Sequence, residues 1–188
     1  MTLSEELELV KKAQKDLASF DRLYAYYFPK IYSYCLSRLA NKEVAEDVAG
    51  QVFVSSLEGL KNFDLKKGNK FGTWLYRVAH NKIVDHFRKK KNILFSFLGD
   101  EPALANDFDE ELGLSKRQKE TADVLKTLKP RYQQIVTLKF YSEFDNQEIA
   151  DTVGIPKSNV ALILHRALKS FKKNFEKLYP ESEIFDLN

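Results

Sequence analysis

Apolar residues recur at spacings of three and four through most of the chain, and no stretch keeps up the alternation of a half-buried strand. Phe20, Leu23, Tyr27, Ile31, Cys35 and Leu39 trace one such stripe, which predicts a helix that buries this face. Asn41 is the expected cap of a second helix running towards Leu60, with Glu43, Glu46 and Asp47 in the first turns, where the helix dipole favours negative charge. "FDLKKGNKFGT" reads as a loop from its Gly, Asn and Lys, so Gly72 or Thr73 should open a third helix. In that helix Leu75, Tyr76, Ala79, Ile83 and Phe87 share one face. The pattern fades over residues 92–120, interrupted by Gly99, Pro102, Asn106 and Gly113, and resumes at Thr121 with breaks at Pro130, "SEFDN" and "GIP". The expectation is an all-α protein of two small helical domains joined by a linker, without internal repeats.

The stretch "NQEIADTVGIPKSNVALILHRALKSFKK", residues 146–173, meets the demands of a helix-turn-helix. Such a unit needs a small residue where its helices touch, a turn residue that tolerates positive φ, and apolar residues at fixed offsets. Ala150 supplies the contact and Gly154 the turn. Ile149, Val153, Ile155, Val160 and Ile163 supply the packing. Asn146 is the expected cap of the first helix, and Pro156 suits the first turn of the second. A helical hairpin with no DNA role is the plainer alternative. Ile163 belongs to the packing stripe, whereas Ala161 and Leu162 do not, so they should face DNA or solvent. Lys157, Ser158, Asn159, His165, Arg166 and Lys169 are the polar candidates for the same face. Apolar contact with thymine methyls is a possible reading mode, though it discriminates less than an Arg–guanine pair.

Composition sharpens this picture in a few respects. With 188 residues, 44% hydrophobic and 13% aromatic, the chain can bury helical cores, and seven Gly and five Pro do not suggest disorder. No run approaches the length of a membrane span, and the acidic start "MTLSEELELV" lacks the layout of a signal peptide, so a cytoplasmic protein without membrane insertion is expected. The single cysteine, Cys35, can form no intramolecular disulfide and should be a buried thiol. Net charge is only +3, but its distribution is uneven. Residues 1–91 carry 17 basic against 11 acidic residues, while "DEPALANDFDEE" makes 92–119 acidic. Residues 120–188 balance ten against ten.

The basic surplus is concentrated on the third helix and its flanks. Opposite the apolar face stand Trp74, Arg77, Asn81, Asp85 and Arg88, followed by "RKKK". A solvated face would favour Lys and Glu pairs four residues apart. Here guanidinium groups can neutralise phosphates, an aromatic can stack, and an amide can bond a base edge, a mixture that suits nucleic acid. The competing reading is a basic surface helix whose Trp packs on a neighbour.

"FDRLYAYYFPKIYSYCLSRL", "AEDVAGQVF", "FGTWLYRVAHNKIVDHFRKKK" and the helix-turn-helix, in this order, resemble the extracytoplasmic-function sigma factors of bacterial RNA polymerase. The resemblance covers roughly residues 15–91 and 121–173. It implies a region 2-like domain over 1–91, an acidic linker over 92–120, a region 4-like domain over 121–178 and a tail over 179–188. The second helix would dock on the β′ clamp of core polymerase through Glu46, Asp47, Gln51 and Phe53. The third helix and the loop before it would bind and melt the −10 promoter element. Asn81 would serve a flipped-out base, Phe63, Lys66, Lys67, Trp74, Tyr76 and Arg77 would line or flank its site, and Lys82, Arg88, Lys89 and Lys90 would anchor phosphates. The helix-turn-helix would bind the −35 element, and its domain the β flap. The linker would either tether the domains or occupy a basic channel of the polymerase. An anti-sigma factor is a partner the resemblance leaves open.

One departure from the family pattern is Gly50, where relatives usually carry a Gln; it weakens the helix and removes an expected polymerase contact. An enzyme finds little support. His80, His86 and His165 lack metal-pair spacing, there is no phosphate-cradling loop or nucleophile elbow, and no cofactor or metal is implied. His80 and His86 read as surface residues of a basic helix. The other alternative, a stand-alone regulator binding operator DNA as a dimer, leaves the basic aromatic block without a role.

Overall fold

The computed structural model describes residues 1–39, 41–65, 70–97 and 115–182, with backbone alone for 90–97. Among the described residues the protein is all helical, and it divides into two compact units, Met1–Asn106 and Asp107–Asn188. No helix among them is long and apolar enough to cross a membrane.

The first unit holds α1 (Leu3–Ala13), α2 (Phe20–Leu39), α3 (Lys42–Leu60) and α4 (Phe71–Phe97), with a short 3₁₀ turn at Leu17–Ser19. The α2 stripe forms as its spacing predicts: Phe20, Leu23, Tyr27, Ile31, Cys35 and Leu39 are all buried. Pro29 lies within α2, where it offers no amide to the carbonyl of Ala25; both residues face solvent, so water can serve that carbonyl. α2 packs on α3 and α3 on α4, with Val52, Leu60, Phe71, Leu75 and Ile83 among the fully buried side chains between them. Burial pushes the Cys35 thiol up to about 12, so it stays protonated.

α1 lies ahead of the elements traced from the apolar stripes. Its start is nonetheless locally encoded, because Thr2 and Glu5 form a reciprocal capping box. α1 buries Leu9, Val10 and Ala13, and it also buries a carboxylate, Glu6. Asn41 caps α3 as expected, accepting from the Val44 amide at 2.9 Å. α4 opens at Phe71, slightly before the expected Gly72 or Thr73, and its helix continues to Phe97, beyond the expected boundary at 91.

The second unit holds α5 (Lys116–Lys126), α6 (Pro130–Phe140), α7 (Asn146–Val153) and α8 (Lys157–Leu178). α5 starts ahead of Thr121 because Ser115 and Gln118 form a capping box. α8 packs on each of the other three, and Leu128, Val136 and Ala167 centre a cluster with Leu125, Tyr132, Leu164, Leu168 and Phe171. The α8 end is tied back to α5: the Tyr179 hydroxyl donates to Asp123 at 2.9 Å and the Ser182 hydroxyl to Glu120 at 3.0 Å. The remainder of the expected linker and tail lies outside the described residues.

Candidate nucleic-acid interface

The helix-turn-helix is built by α7 and α8. Its first cap is Asp145 rather than Asn146: the Asp145 carboxylate accepts from the amides of Gln147 and Glu148, and Glu148 returns the bond in a capping box. A carboxylate adds a favourable charge at the helix start that an amide lacks. Gly154 adopts φ 69°, a left-handed conformation that glycine takes without strain, and the Gly154 and Ile155 amides both close on the Ala150 carbonyl. Pro156 stands just before α8 rather than inside its first turn. Ile149, Ala150, Val160 and Ile163 are buried, and Val153 and Ile155 half-buried.

α8 therefore turns one stripe inward, through Val160, Ile163, Ala167 and Phe175. All eight residues expected on its outer face, Lys157, Ser158, Asn159, Ala161, Leu162, His165, Arg166 and Lys169, are exposed. At about 100° per residue, Ser158, Ala161, Leu162, His165, Arg166 and Lys169 form one ridge that mixes apolar and cationic groups.

On α4, Arg77, Asn81, Val84 and Arg88 are exposed and lie within a narrow arc of the helix. Asp85 holds the Arg88 guanidinium at 3.0 Å, an exposed pair that a phosphate can compete with. Lys89 is exposed on a different side, and Lys82, next to Asn81 in sequence and so about 100° round the helix, is half-buried. Lys66 and Lys67 lie outside the described residues, as does the side chain of Lys90.

Three expected contact residues are placed differently. Tyr76 is buried, its ring edge-on to Tyr34 at 5.2 Å, because it belongs to the same apolar stripe as Leu75 and Ala79. Phe63 is buried against Phe71 and Trp74, with centroids 5.8 and 5.2 Å away. Phe53 is buried beside Phe20, Tyr24 and Phe28. None of the three presents its ring to a partner; each shapes the surface from beneath. Trp74 combines both readings, since it packs on Phe63 and Phe71 yet stays half-exposed. Gly59 makes room for it: a side-chain carbon there would stand 2.9 Å from the indole.

The outer face of α3 carries Glu43, Glu46, Asp47, Gln51 and Glu58, all exposed. Val54 sits among them, 59% exposed, an apolar centre to an acidic face. Its place was readable from spacing, being three residues after Gln51 and four before Glu58. Gly50 lies on the same arc, and a side-chain carbon added there meets nothing within 4 Å. On α4, His80 and His86 are both half-buried rather than surface residues; burial, and then the charge of Arg38, hold His80 below the ordinary histidine value of 6.5. The described residues contain no group of His, Cys, Asp and Glu able to hold a metal ion.

Two family descriptions match this chain, Sigma-70 region 2 over residues 23–93 and Sigma-70, region 4 over residues 118–171, together about two thirds of its length. The chain is similar to the ECF RNA polymerase sigma factor SigW of Bacillus subtilis, 29% identical over 95% of this chain and 99% of SigW. It is also similar to RNA polymerase sigma factor YlaC of the same bacterium, 29% identical over 88% of this chain and 97% of YlaC. Its fold resembles that of the sigma factor RpoE in complex with the anti-sigma factor NepR from Bartonella quintana, with a TM-score of 0.70 at 16% identity, covering 87% of this chain and 98% of that one. The region 2 match takes in the basic aromatic block that a stand-alone operator-binding regulator leaves unexplained, and this chain belongs to the sigma-70 family as an extracytoplasmic-function sigma factor of RNA polymerase.

Proposed function

We propose that this sigma factor recruits core RNA polymerase to promoters, with residues 1–91 recognising and melting the −10 element and residues 121–178 recognising the −35 element. The observation that carries this reading is the α4 ridge, on which Arg77, Asn81 and Arg88 are exposed together beside the half-exposed Trp74. Extruding a base costs a few kcal/mol, and a half-exposed indole with an amide nearby offers the stacking and edge hydrogen bonding that offset it. Arg77, Arg88 and Lys89 supply phosphate contacts that carry no sequence information but fix register. Lys82, half-buried off the ridge, has a smaller part. On α8 the exposed ridge suits a major groove, with Arg166 and Lys169 on phosphates or bases and Ala161 and Leu162 against thymine methyls.

Glu46, Asp47 and Gln51, joined by Val54, form the α3 face proposed for the β′ clamp: a partially apolar patch rimmed by acids. Phe53 supports this face from the core. The region 4-like domain is the counterpart for the β flap, and an anti-sigma factor that covers either unit is the natural means of holding the protein inactive. The segment between α4 and α5 links the two domains, and of the tail expected over 179–188, Tyr179 and Ser182 hold to α5.

The test is reconstituted transcription on a promoter library with and without core polymerase. Transcripts that require both proteins and share −10 and −35 elements are expected. Tight binding to a palindromic site without polymerase would overturn the reading.

A further inference from the structure

α1 touches both ends of the connector between α3 and α4, with opposite chemistry at each. A helix end leaves carbonyls without partners, and a helix start leaves amides. At the end of α3, the Gln14 side-chain amide donates to the carbonyls of Leu60 and Phe63, both at 2.9 Å. At the start of α4, one oxygen of the Glu6 carboxylate accepts the Phe71 amide at 2.6 Å and reaches the Gly72 amide at 3.4 Å. Its other oxygen accepts the Tyr27 hydroxyl. Glu6 is 8% exposed, so this is a buried carboxyl group whose oxygens are held by two backbone amides and a buried tyrosine hydroxyl. Tyr27 is held in turn by the Phe71 ring, centroids 5.7 Å apart, and by the absence of a side chain at Gly72.

An eleven-residue helix and Gln14, the residue that caps its end, thus pin residues 60, 63, 71 and 72 by their backbones. Trp74 lies within the first turn after that anchor, and Arg77 and Asn81 follow on the same rigid helix. Pulling a base from its stack places a reaction force on α4, and a helix start free to shift would carry Trp74, Arg77 and Asn81 out of register together. The α3 face proposed for polymerase stands outside these bonds.

We propose that α1 is a brace that fixes the span of the α3–α4 connector, with Glu6 and Gln14 as positioning residues for the DNA-opening face of α4. This rests on the promoter-opening reading above. The test uses full-length Glu6→Gln, Glu6→Ala and Gln14→Ala with core polymerase, on a duplex promoter and on one whose −10 segment is already unpaired. Amide exchange at Phe71 and Gly72 is measured on the same proteins.

The Glu6 variants should exchange these two amides faster while keeping core affinity within about twofold, and duplex opening should fall roughly tenfold to a hundredfold, the scale of a small misplacement. Opening-independent transcription from the unpaired promoter should recover. Glu6→Gln, which keeps an acceptor oxygen, should lie between wild type and Glu6→Ala. Unchanged exchange, unchanged duplex opening, or a parallel loss of core affinity and of activity on both DNAs would overturn the brace. Should Glu6→Ala fail to fold, Gln14→Ala, altered at a half-exposed side chain that releases the Leu60 and Phe63 carbonyls, decides by duplex opening against the unpaired promoter and by core affinity. Should the wild type itself fail to open promoters with core polymerase, the promoter reading falls, and the exchange measurement still decides whether α1 holds the connector.

Discussion

Gly50 and Gly72 both lie within helices, yet a methyl group has opposite consequences at the two. At Gly50 it meets open space, so Gly50→Ala should stabilise the first unit by about 0.5–1 kcal/mol through helix preference alone. Gly50→Gln should share that gain and tighten core polymerase binding, by filling the notch in the α3 face. At Gly72 the new carbon would stand 2.7 Å from the Tyr27 hydroxyl oxygen and displace it from Glu6. Gly72→Ala should cost about 1–3 kcal/mol. Urea midpoints of the three variants check the stability changes, which equal shifts in one direction would contradict, and titration with core polymerase checks the binding of Gly50→Gln. His80 gives a pH signature. Its folded form binds a proton less readily than the ordinary value of 6.5, so the unfolded chain takes up more protons on acidification. The stability it contributes is full above the unfolded value and is lost as pH falls through the folded one. His80→Gln should flatten that loss, read as the difference between urea midpoints at about pH 7.5 and about pH 5.5.

At the scale of elements, α8 separates buried from exposed positions between neighbouring residues. Ile163 is buried and Leu162 is 48% exposed. Ile163→Ala should cost about 2–5 kcal/mol of stability in the second unit. Leu162→Ala should change stability by no more than about 0.5 kcal/mol while weakening −35 binding. Thermal melts paired with DNA binding in the holoenzyme separate the two, and a swap of these effects would refute the face assignment. That division was legible in the sequence because the helical period is regular and α8 is anchored by Gly154. The faces of α2 and α4 were legible for the same reason. Caps were less so: Asp145 and Asn146 are both good caps, and the Glu148 return bond together with the carboxylate charge selects Asp145. The Thr2–Glu5 capping box makes the start of α1 legible, whereas the bonds of Glu6 and Gln14 are not, because their partners, Tyr27, Leu60, Phe63 and Phe71, are distant in sequence. Aromatics were the hardest to place. Phe53, Phe63 and Tyr76 resemble contact residues by motif, but large rings at helical spacing are drawn into a core by the area they bury.

For the molecule as a whole, the proposed function divides promoter recognition between two units of modest size. An α8 ridge with a few cations and an apolar centre should discriminate bases only modestly on its own, and the proposed strand opening rests on the α4 ridge. The central claim is that Asn81 on α4 acts when the promoter opens and not when polymerase docks. Permanganate reactivity of thymines in the −10 region, measured for holoenzymes with the wild-type protein and with Asn81→Ala, tests it most directly when paired with core affinity. Asn81 is exposed on α4, a different helix from the acidic face of α3, so core affinity and folding should be unchanged while −10 reactivity falls sharply. Wild-type reactivity with Asn81→Ala, or a loss explained by weaker polymerase binding, would contradict the account.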